Sequence, residues 1–463
     1  MPSREKKQLQ EASTTALLRS PVGPEAWALR FLLIATSVAF VSLGGPEHES
    51  SLMLMVVWGI GSLAWLIGVL GGSCPRAHWL VAGAILLRCL ALAGDPGLSD
   101  DVYRYVWEGG LVSEGVSPFA DPPDSERLSV YRSRWPEIHA GINHPEVSAA
   151  YPPVAQWVHA LVTTLAGGPG DARRAIFAMR LFYGAMDLLV LIPLGLLLRR
   201  SRVRGASLLA WAWSPLIAIE FAGSAHFDSL GVLLLLSALA VVERTSSSGA
   251  LNRASALTLL VLGALVKLIP GLLVPFCARG QRQLLLLVLC AVAFALAWLP
   301  FVTGDGSELA AGLTEYGTRW ESSSLVFRWV ERPLALWFDK DGGLTDPRRL
   351  ARILVGLVFL ALYVREWRRA PDLTRSAGIL IGAFLVLSPT LHPWYLAWIV
   401  PFIALCPSRA WSVLLALVPL CYWPLARWKS EAVWIEPAWL WPTLALPFFA
   451  LLIVDAIRAR DVD

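Results

Sequence analysis

Pro152 to Ala166 reads PPVAQWVHALVTTLA, and the topology of the whole chain turns on it. The stretch is predominantly apolar, yet its 15 residues fall short of the roughly 20 that cross the hydrocarbon core of a bilayer as a helix. Counted as a crossing, the segment would send the loop Arg199–Arg204 outside. Counted as a helix lying along the outer surface or dipping into it, it leaves that loop inside, where lysine and arginine accumulate. We take the second reading and place the rest of the chain around it.

The surroundings are those of a polytopic membrane protein. Of 463 residues, 56% are hydrophobic and only 16% charged, against about 25% charge in soluble domains. Mean hydropathy is +0.58, and the 22 Trp suit the aromatic belts of membrane interfaces. Apolar runs predict spans near 26–43, 52–71, 78–94, 176–198, 206–222, 228–243, 254–266, 268–278, 282–302, 351–365, 374–391, 394–406, 409–426 and 437–456. The expected fold is an all-α integral membrane bundle of about 12–14 transmembrane helices. The run around Val266-Lys267-Leu268-Ile269-Pro270 reads as two half-helices or one kinked helix, because proline removes a backbone donor.

Residues 1–25 carry Arg4, Lys6, Lys7 and Arg19 but no apolar signal core, and read as a cytoplasmic tail. Residues 26–456 form one membrane domain, and 457–463 a second cytoplasmic tail. Arg199–Arg204, Arg279/Arg282, Arg365/Arg368/Arg369 and Arg458/Arg460 mark inside loops, whereas 44–51, 223–227 and 392–393 carry no Lys or Arg. Two long loops, about 95–175 and 303–350, then lie outside, and the first is expected to carry surface helices. Thr245–Gly249 is a short inside turn. A net charge of +4 without a basic patch excludes nucleic acid as a partner. The six cysteines, Cys74, Cys89, Cys277, Cys290, Cys406 and Cys421, lie in or beside apolar segments and read as packing residues.

The costly polar residues gather on the outer side. Asp100 and Asp101 open the first long loop in LSDDVYRYVWEGGLVSEGVSPF, Leu98 to Phe119. His226 and Asp228 lie at the outer end of a hairpin, with Glu220 shortly before them. Lys267 marks the broken run, His392-Pro393-Trp394-Tyr395 joins two later spans, and Arg180 starts another. Ionisable groups at membrane depth default to a functional role, and five separate segments place them at one level. Each also has a structural reading. The acids can cap the helix that follows, Lys267 can snorkel, His226 and Asp228 can be turn residues, His392 can be a satisfied interfacial histidine, and Arg180 can pair with Asp187. Arg88 has no obvious partner and reads as structural.

A carboxylate facing outer water can take the proton of an acceptor hydroxyl. Lys267, Arg180 and Arg104 can hold a phosphate and stabilise its departure, while Tyr103, Tyr105, Trp107, Trp394 and Tyr395 can stack on sugar rings. With an apolar groove for a lipid tail, this set describes glycosyl transfer from a lipid-phosphate sugar.

The same residues resemble the GT-C superfamily of polytopic glycosyltransferases, above all bacterial mannosyltransferase-like members that use polyprenol-phosphate sugars. Their SDD-x-YRY-x-W-[DE]-G … G-x-[NS]-P-[YF] pattern stands here as Ser99–Gly109 and Gly115–Phe119. The first-loop acids also resemble those of the GPI mannosyltransferases, where the acid four residues before the arginine falls on Asp100. NHPE and YPP are similar to Asn143–Glu146 and Tyr151–Pro153, GHxD to Ala225–Asp228, LKLxP to Val266–Pro270, and SPTLHPWYLxW to Ser388–Trp398. The resemblance spans roughly 95–400. Ala225 replaces the usual glycine and Ser117 the usual asparagine, the latter bearing on sugar or acceptor contacts.

What the resemblance implies is an inverting hexosyltransferase of a bacterial inner membrane with its site on the outer face. It moves mannose from a polyprenyl-phosphate donor to a glycolipid, polysaccharide or protein acceptor. Asp100 is expected as the base, with Asp101 orienting it or capping the helix. Arg104, Arg180, Lys267 and His392 are candidates for the donor phosphate, and Tyr105, His226, Asp228, Trp394 and Tyr395 for the remaining substrate contacts. The acid pair with His226 could hold a divalent ion, as in members with diphosphate donors, but monophosphate-donor members look metal-independent, so no metal or other cofactor is expected. Rival readings are a lipid-linked sugar transporter or flippase, a non-catalytic partner in polysaccharide assembly, and a ligase of whole glycans.

Overall fold

The computed structural model describes residues 23–48, 51–72, 75–200, 207–243, 250–280, 282–338, 343, 345–369, 372–431 and 434–460. Residues 1–22 and 461–463 of the expected tails, Cys74, Arg202, Arg204 and the turn Thr245–Gly249 lie outside the described residues. Among the described residues the architecture is all-helical. Extended pairing is confined to one isolated parallel bridge, Ser322 to Thr390.

Among the described residues, five helices are long and apolar enough to cross a membrane: Pro24–Leu43, Ala172–Leu198, Gln283–Phe301, Arg409–Trp428 and Leu440–Arg458. Pro215–Gly223 and Asp228–Glu243, bent by 118° at their junction, make a sixth if counted as one span. Met55–Leu70, Ala77–Ala93, Ala250–Val266, Leu373–Leu387 and Pro393–Leu405 are apolar but shorter. The class is the expected one, but several apolar runs counted as crossings are broken. The run 206–222 splits into Leu209–Ala212, Pro215–Ile217 and a π-helical turn, Ala218–Gly223. The run 394–406 begins as a 3-10 turn, Pro393–Trp398, before Val400–Leu405. Pro215, Pro393 and Pro401 each remove an N–H from the ladder, which accounts for breaks that hydropathy cannot show.

Apolar side chains face outward where lipid would lie. Gln283–Leu296 buries none of its residues, and Leu284, Leu285 and Leu289 are all more than half exposed, a surface that water disfavours. The helix Pro153–Leu165 has the same inverted character. It buries Gln156, His159 and Thr163 and exposes Trp157, Leu161 and Leu165. Its 13 residues span about 20 Å, well short of a ~30 Å core.

Among the described residues, the two largest of four hydrophobic clusters organise the fold. The larger joins the apolar helices around Trp58, Trp65, Trp211 and Trp398. The smaller is built from the 95–175 loop: Tyr105, Trp107, Trp135 and Ile138 pack with Met179, Tyr183, Phe227 and Val266, and so seat the loop on helix ends. Gly109 makes that seat possible. A Cβ there would stand 2.5 Å from the His159 carbonyl oxygen, so only glycine lets Asp101–Ser113 meet Pro153–Leu165 this closely. Arg88 does have a partner, and it is the residue offered above to Arg180. Its guanidinium grips Asp187 at 2.7 and 3.0 Å, and Trp211 Nε1 donates to the same carboxylate at 2.7 Å.

Candidate active site

The helix Asp101–Ser113 starts at the acid pair, with Asp100 in the N-cap position but without a side-chain cap bond. The Asp101 amide instead donates to Ser99 Oγ at 3.3 Å. Asp100 and Asp101 line a cavity of about 720 Å³, together with Arg104, Asn143, Tyr151, Tyr316, Trp320, His392, Trp394, Tyr395 and Tyr422. Trp428 and Trp434, each about half exposed, line the same cavity.

Arg104 spends its donors on the protein. It donates to the carbonyls of Asn143 at 3.1 Å, His144 at 2.8 Å and Val147 at 2.9 Å, and lies 3.5 Å from Glu108. It thereby pins the 143–147 loop, in which His144 takes a left-handed φ of 52°. Glu108 in turn accepts from Gln156 at 2.7 Å. The SDD-x-YRY-x-W-E-G pattern therefore divides: Asp100, Asp101 and Arg104 line the cavity, while Glu108 and Gly109 pack behind it. Tyr105 and Trp107 are buried among aromatic rings, Tyr105 stacking on His159 at 4.7 Å. Ser117 donates to the Phe301 carbonyl at 2.8 Å, a contact within the protein.

Behind the acids lies the break between Pro215–Gly223 and Asp228–Glu243. A π-helical turn followed by Ala225 at φ 63° swings His226 toward Asp101. The usual glycine of this motif would adopt that φ freely; alanine holds it at a steric cost. His226 Nδ1 lies 3.8 Å from Asp101 Oδ2, and Nε2 lies 3.3 Å from Glu220 Oε2. Tyr105 OH stands between, 3.4 Å from both Asp101 Oδ2 and His226 Nδ1. Because the two acids face opposite ring nitrogens, the trio does not surround one point as metal ligands do. Trp394 stacks on His226 at 4.0 Å and on His392 at 4.4 Å.

Lys267 follows the last turn of Ala250–Val266, where a helix end favours a cation. Its ammonium is 2.6 Å from Asp228 Oδ1 and 4.4 Å from the Tyr395 ring centroid. Trp398 Nε1 donates to the same carboxylate oxygen at 2.6 Å. Asp228 is fully buried, while the Lys267 side chain is 17% exposed. Arg180 is placed apart: it is buried and donates to Ala91 O at 2.7 Å and Ala222 O at 3.1 Å, tying helices together.

Asp101 is held above the ordinary carboxylate value of 3.8. Burial is the main cause and Asp100 adds to it; Arg104, Lys267 and an Asn143 hydrogen bond pull the other way. A carboxylate so placed is a stronger base than one in water.

Sequence reasoning brought Asp100, Asp101, His226, Asp228, Lys267 and the 392–395 turn to one place, and the structure joins them. It did not find Tyr316, which bonds the Tyr395 hydroxyl from the second long loop, or Tyr422, whose hydroxyl donates to Glu220. Neither sits in a motif, and both are supplied by long-range packing. Glu220 carried a signal, an acid inside an apolar run, but was not chosen.

This all-helical membrane bundle, whose first long loop brings an acid pair near a lysine, two histidines and several tyrosines, is by its relatives a GT-C-like membrane glycosyltransferase. The model of the family described as "Alpha-(1->6)-mannopyranosyltransferase, N-terminal domain" matches residues 24–280, more than half of the chain, and the chain belongs to that family. It is similar to "Alpha-(1->6)-mannopyranosyltransferase A" of Mycobacterium tuberculosis (strain ATCC 25618 / H37Rv), at 24% identity over 435 residues, 88% of this chain and 81% of that protein. No solved structure matches the chain.

Proposed function

We propose that this protein transfers mannose from a polyprenyl-phosphate donor to an acceptor hydroxyl, with inversion, on the extracytoplasmic face of a bacterial inner membrane. The observation that carries the reading is Asp101. It is a cavity-wall carboxylate, raised as a base by burial, with an imidazole and a lysine close behind it. The sequence alone favoured Asp100. We now assign the base to Asp101, with Asp100 as the neighbour that raises its proton affinity.

In this mechanism the acceptor hydroxyl gives its proton to Asp101 while its oxygen attacks the anomeric carbon. The bond to phosphate breaks on the opposite face, and one displacement inverts the centre. Lys267 lies close enough to Tyr395 to add positive charge as the phosphate leaves, so the reading calls for no metal. His392, Trp394 and Tyr395 offer ring faces to sugar. Arg104 and Arg180 act as scaffold rather than phosphate clamps, because their donors are spent on carbonyls. The acceptor is a glycolipid, polysaccharide or protein glycan, and both termini face the cytoplasm with the 95–175 and 303–350 loops outside.

The test uses purified protein in lipid nanodiscs with a panel of radiolabelled polyprenyl-phosphate sugars and native membrane glycans. Transfer from the mannose donor is expected. Movement of intact donor between leaflets without transfer would favour the flippase reading, and neither transfer nor donor binding would favour a non-catalytic assembly partner.

A further inference from the structure

Four side chains line the cavity of the acid pair without a part in the proposed chemistry: Trp320, Glu321, Trp428 and Trp434. Trp428 and Trp434 are about half exposed and so stand at its mouth. The Trp320 ring is fixed by Tyr316, nearly parallel at 5.4 Å, and by the edge of His144 at 4.9 Å. Arg352 at 3.3 Å and Arg348 at 3.6 Å hold the Glu321 carboxylate. These walls come from distant parts of the chain, and one residue fastens them. Glu436, two residues after Trp434, accepts from the Ser323 amide at 3.0 Å and from Ser322 Oγ at 3.2 Å, and pairs with Arg328 at 2.5 Å. Ser323 takes a left-handed φ of 50°, a conformation that costs any residue with a Cβ and persists where the surroundings hold it, often at ligand clamps. The Leu391 amide donates to the Ser322 carbonyl at 2.8 Å, which ties the same segment to the turn carrying His392–Tyr395. The mouth and the catalytic wall are thus one construction.

We propose that Trp320, Glu321, Trp428 and Trp434 form a subsite for the acceptor sugar next to the one that is attacked. The inference rests on the transferase reading and deepens it, choosing a carbohydrate chain over a protein side chain as acceptor. A flat indole face suits the C–H face of a sugar ring, and a neighbouring carboxylate accepts from its hydroxyls. The reacting sugar sits at Asp101, and the sugar before it lies on the tryptophans with its hydroxyls donating to Glu321. Two other occupants fit less well. A lipid tail here would strip Glu321, Ser322 and Asn143, which line the same cavity, of hydrogen-bond partners. Tryptophans of a membrane belt anchor at the lipid interface, whereas these two line the cavity that holds the acids. Glu436 is a positioning residue: it touches no sugar and sets the spacing between the wall that carries Trp434 and the wall that carries Trp320 and Glu321.

The experiment uses the full chain in nanodiscs with polyprenyl-phosphate mannose as donor. Acceptors are octyl glycosides of one, two and four sugars, in a mannose and a glucose series. Readouts are kcat and KM for each acceptor, KM for the donor, and thermal unfolding. Wild type is expected to show a KM about tenfold lower for the four-sugar acceptor than for the one-sugar acceptor. Trp428→Ala/Trp434→Ala should raise KM for the long acceptor about tenfold more than for the short one, with the donor KM within about twofold. Trp428→Phe/Trp434→Phe keeps flat faces and should restore part of the length preference. Glu436→Gln loses the charge that pairs with Arg328 and should reduce the preference less than the alanine variant does. An equal rise in KM for every acceptor would make the tryptophans structural and overturn the subsite. A rise confined to the donor KM would give the mouth to the polyprenyl tail and overturn it as well. Wild-type transfer without length preference would do the same while leaving the transferase reading intact. If the alanine variant does not fold, the phenylalanine variant and Glu436→Gln carry the comparison. If neither octyl series is accepted, the native membrane product decides: label on a chain of sugars supports the subsite, and label on a protein hydroxyl refutes it. No transfer by wild type from any donor would sink the transferase reading and the subsite together.

Discussion

Asp101→Asn tests the assignment of the base most directly. A positioned general base contributes roughly 10²–10⁴-fold in rate, equal to about 2.7–5.5 kcal/mol of barrier. Asp100 lines the same cavity one residue away, so partial substitution by it puts the expected loss of kcat near the middle, about 10³-fold. Misfolding is not the expected cause. Asp101 binds its proton more tightly folded than unfolded, so ionising it costs the fold stability, and that cost appears as pH rises from about 3.8 through the raised folded value. The neutral amide avoids it, and Asp101→Asn should unfold no earlier than wild type at neutral pH. The pH profile supplies a second check. The base acts only when ionised, so rate is lost as pH falls through the Asp101 value. Asp100→Asn removes a neighbour that raises this value and should move the acid limb to lower pH. Lys267→Gln removes one that lowers it and should move the limb up. The assay is label transfer from polyprenyl-phosphate mannose in nanodiscs, with thermal unfolding monitored in parallel. Wild-type turnover in Asp101→Asn, with loss in Asp100→Asn, would refute the assignment and hand the role to Asp100.

Two stability predictions accompany it. Gly109→Ala gains up to about 1 kcal/mol of helix propensity but puts a methyl 2.5 Å from the backbone oxygen of His159; a net loss above about 2 kcal/mol is expected, read by SDS-titrated unfolding in mixed micelles, and an unchanged midpoint would contradict the close packing described. Arg88→Met leaves Asp187 buried without its cation and should cost about 3–5 kcal/mol, most of which the double variant Arg88→Met/Asp187→Leu recovers; equal losses in the single and double variants would show that the pair is not coupled.

The chain's composition and the lengths of its apolar runs were enough to declare an all-helical membrane protein, because lipid demands internally satisfied backbone and apolar surface from any spanning segment. The motifs around Asp100, His226, Lys267 and His392 were readable for a similar reason: ionisable groups beside lipid are expensive, and they stand out in a run of leucines. Hydropathy could not reveal where apolar runs break, since Pro215 and Pro393 interrupt hydrogen bonding without changing polarity. Nor could it say which charges face each other. Arg88 and Asp187 are 99 residues apart in sequence, and only the packing of two helices makes them partners instead of Arg180 and Asp187. Arg104 looked like a phosphate clamp until the fold brought three carbonyls to its guanidinium. Tyr316 and Tyr422 entered the site from distant segments with no local pattern to announce them. Local chemistry named the acids; the tertiary fold decided which of them lies beside an imidazole, because through-space contacts and charge depend on what the rest of the chain lays against them.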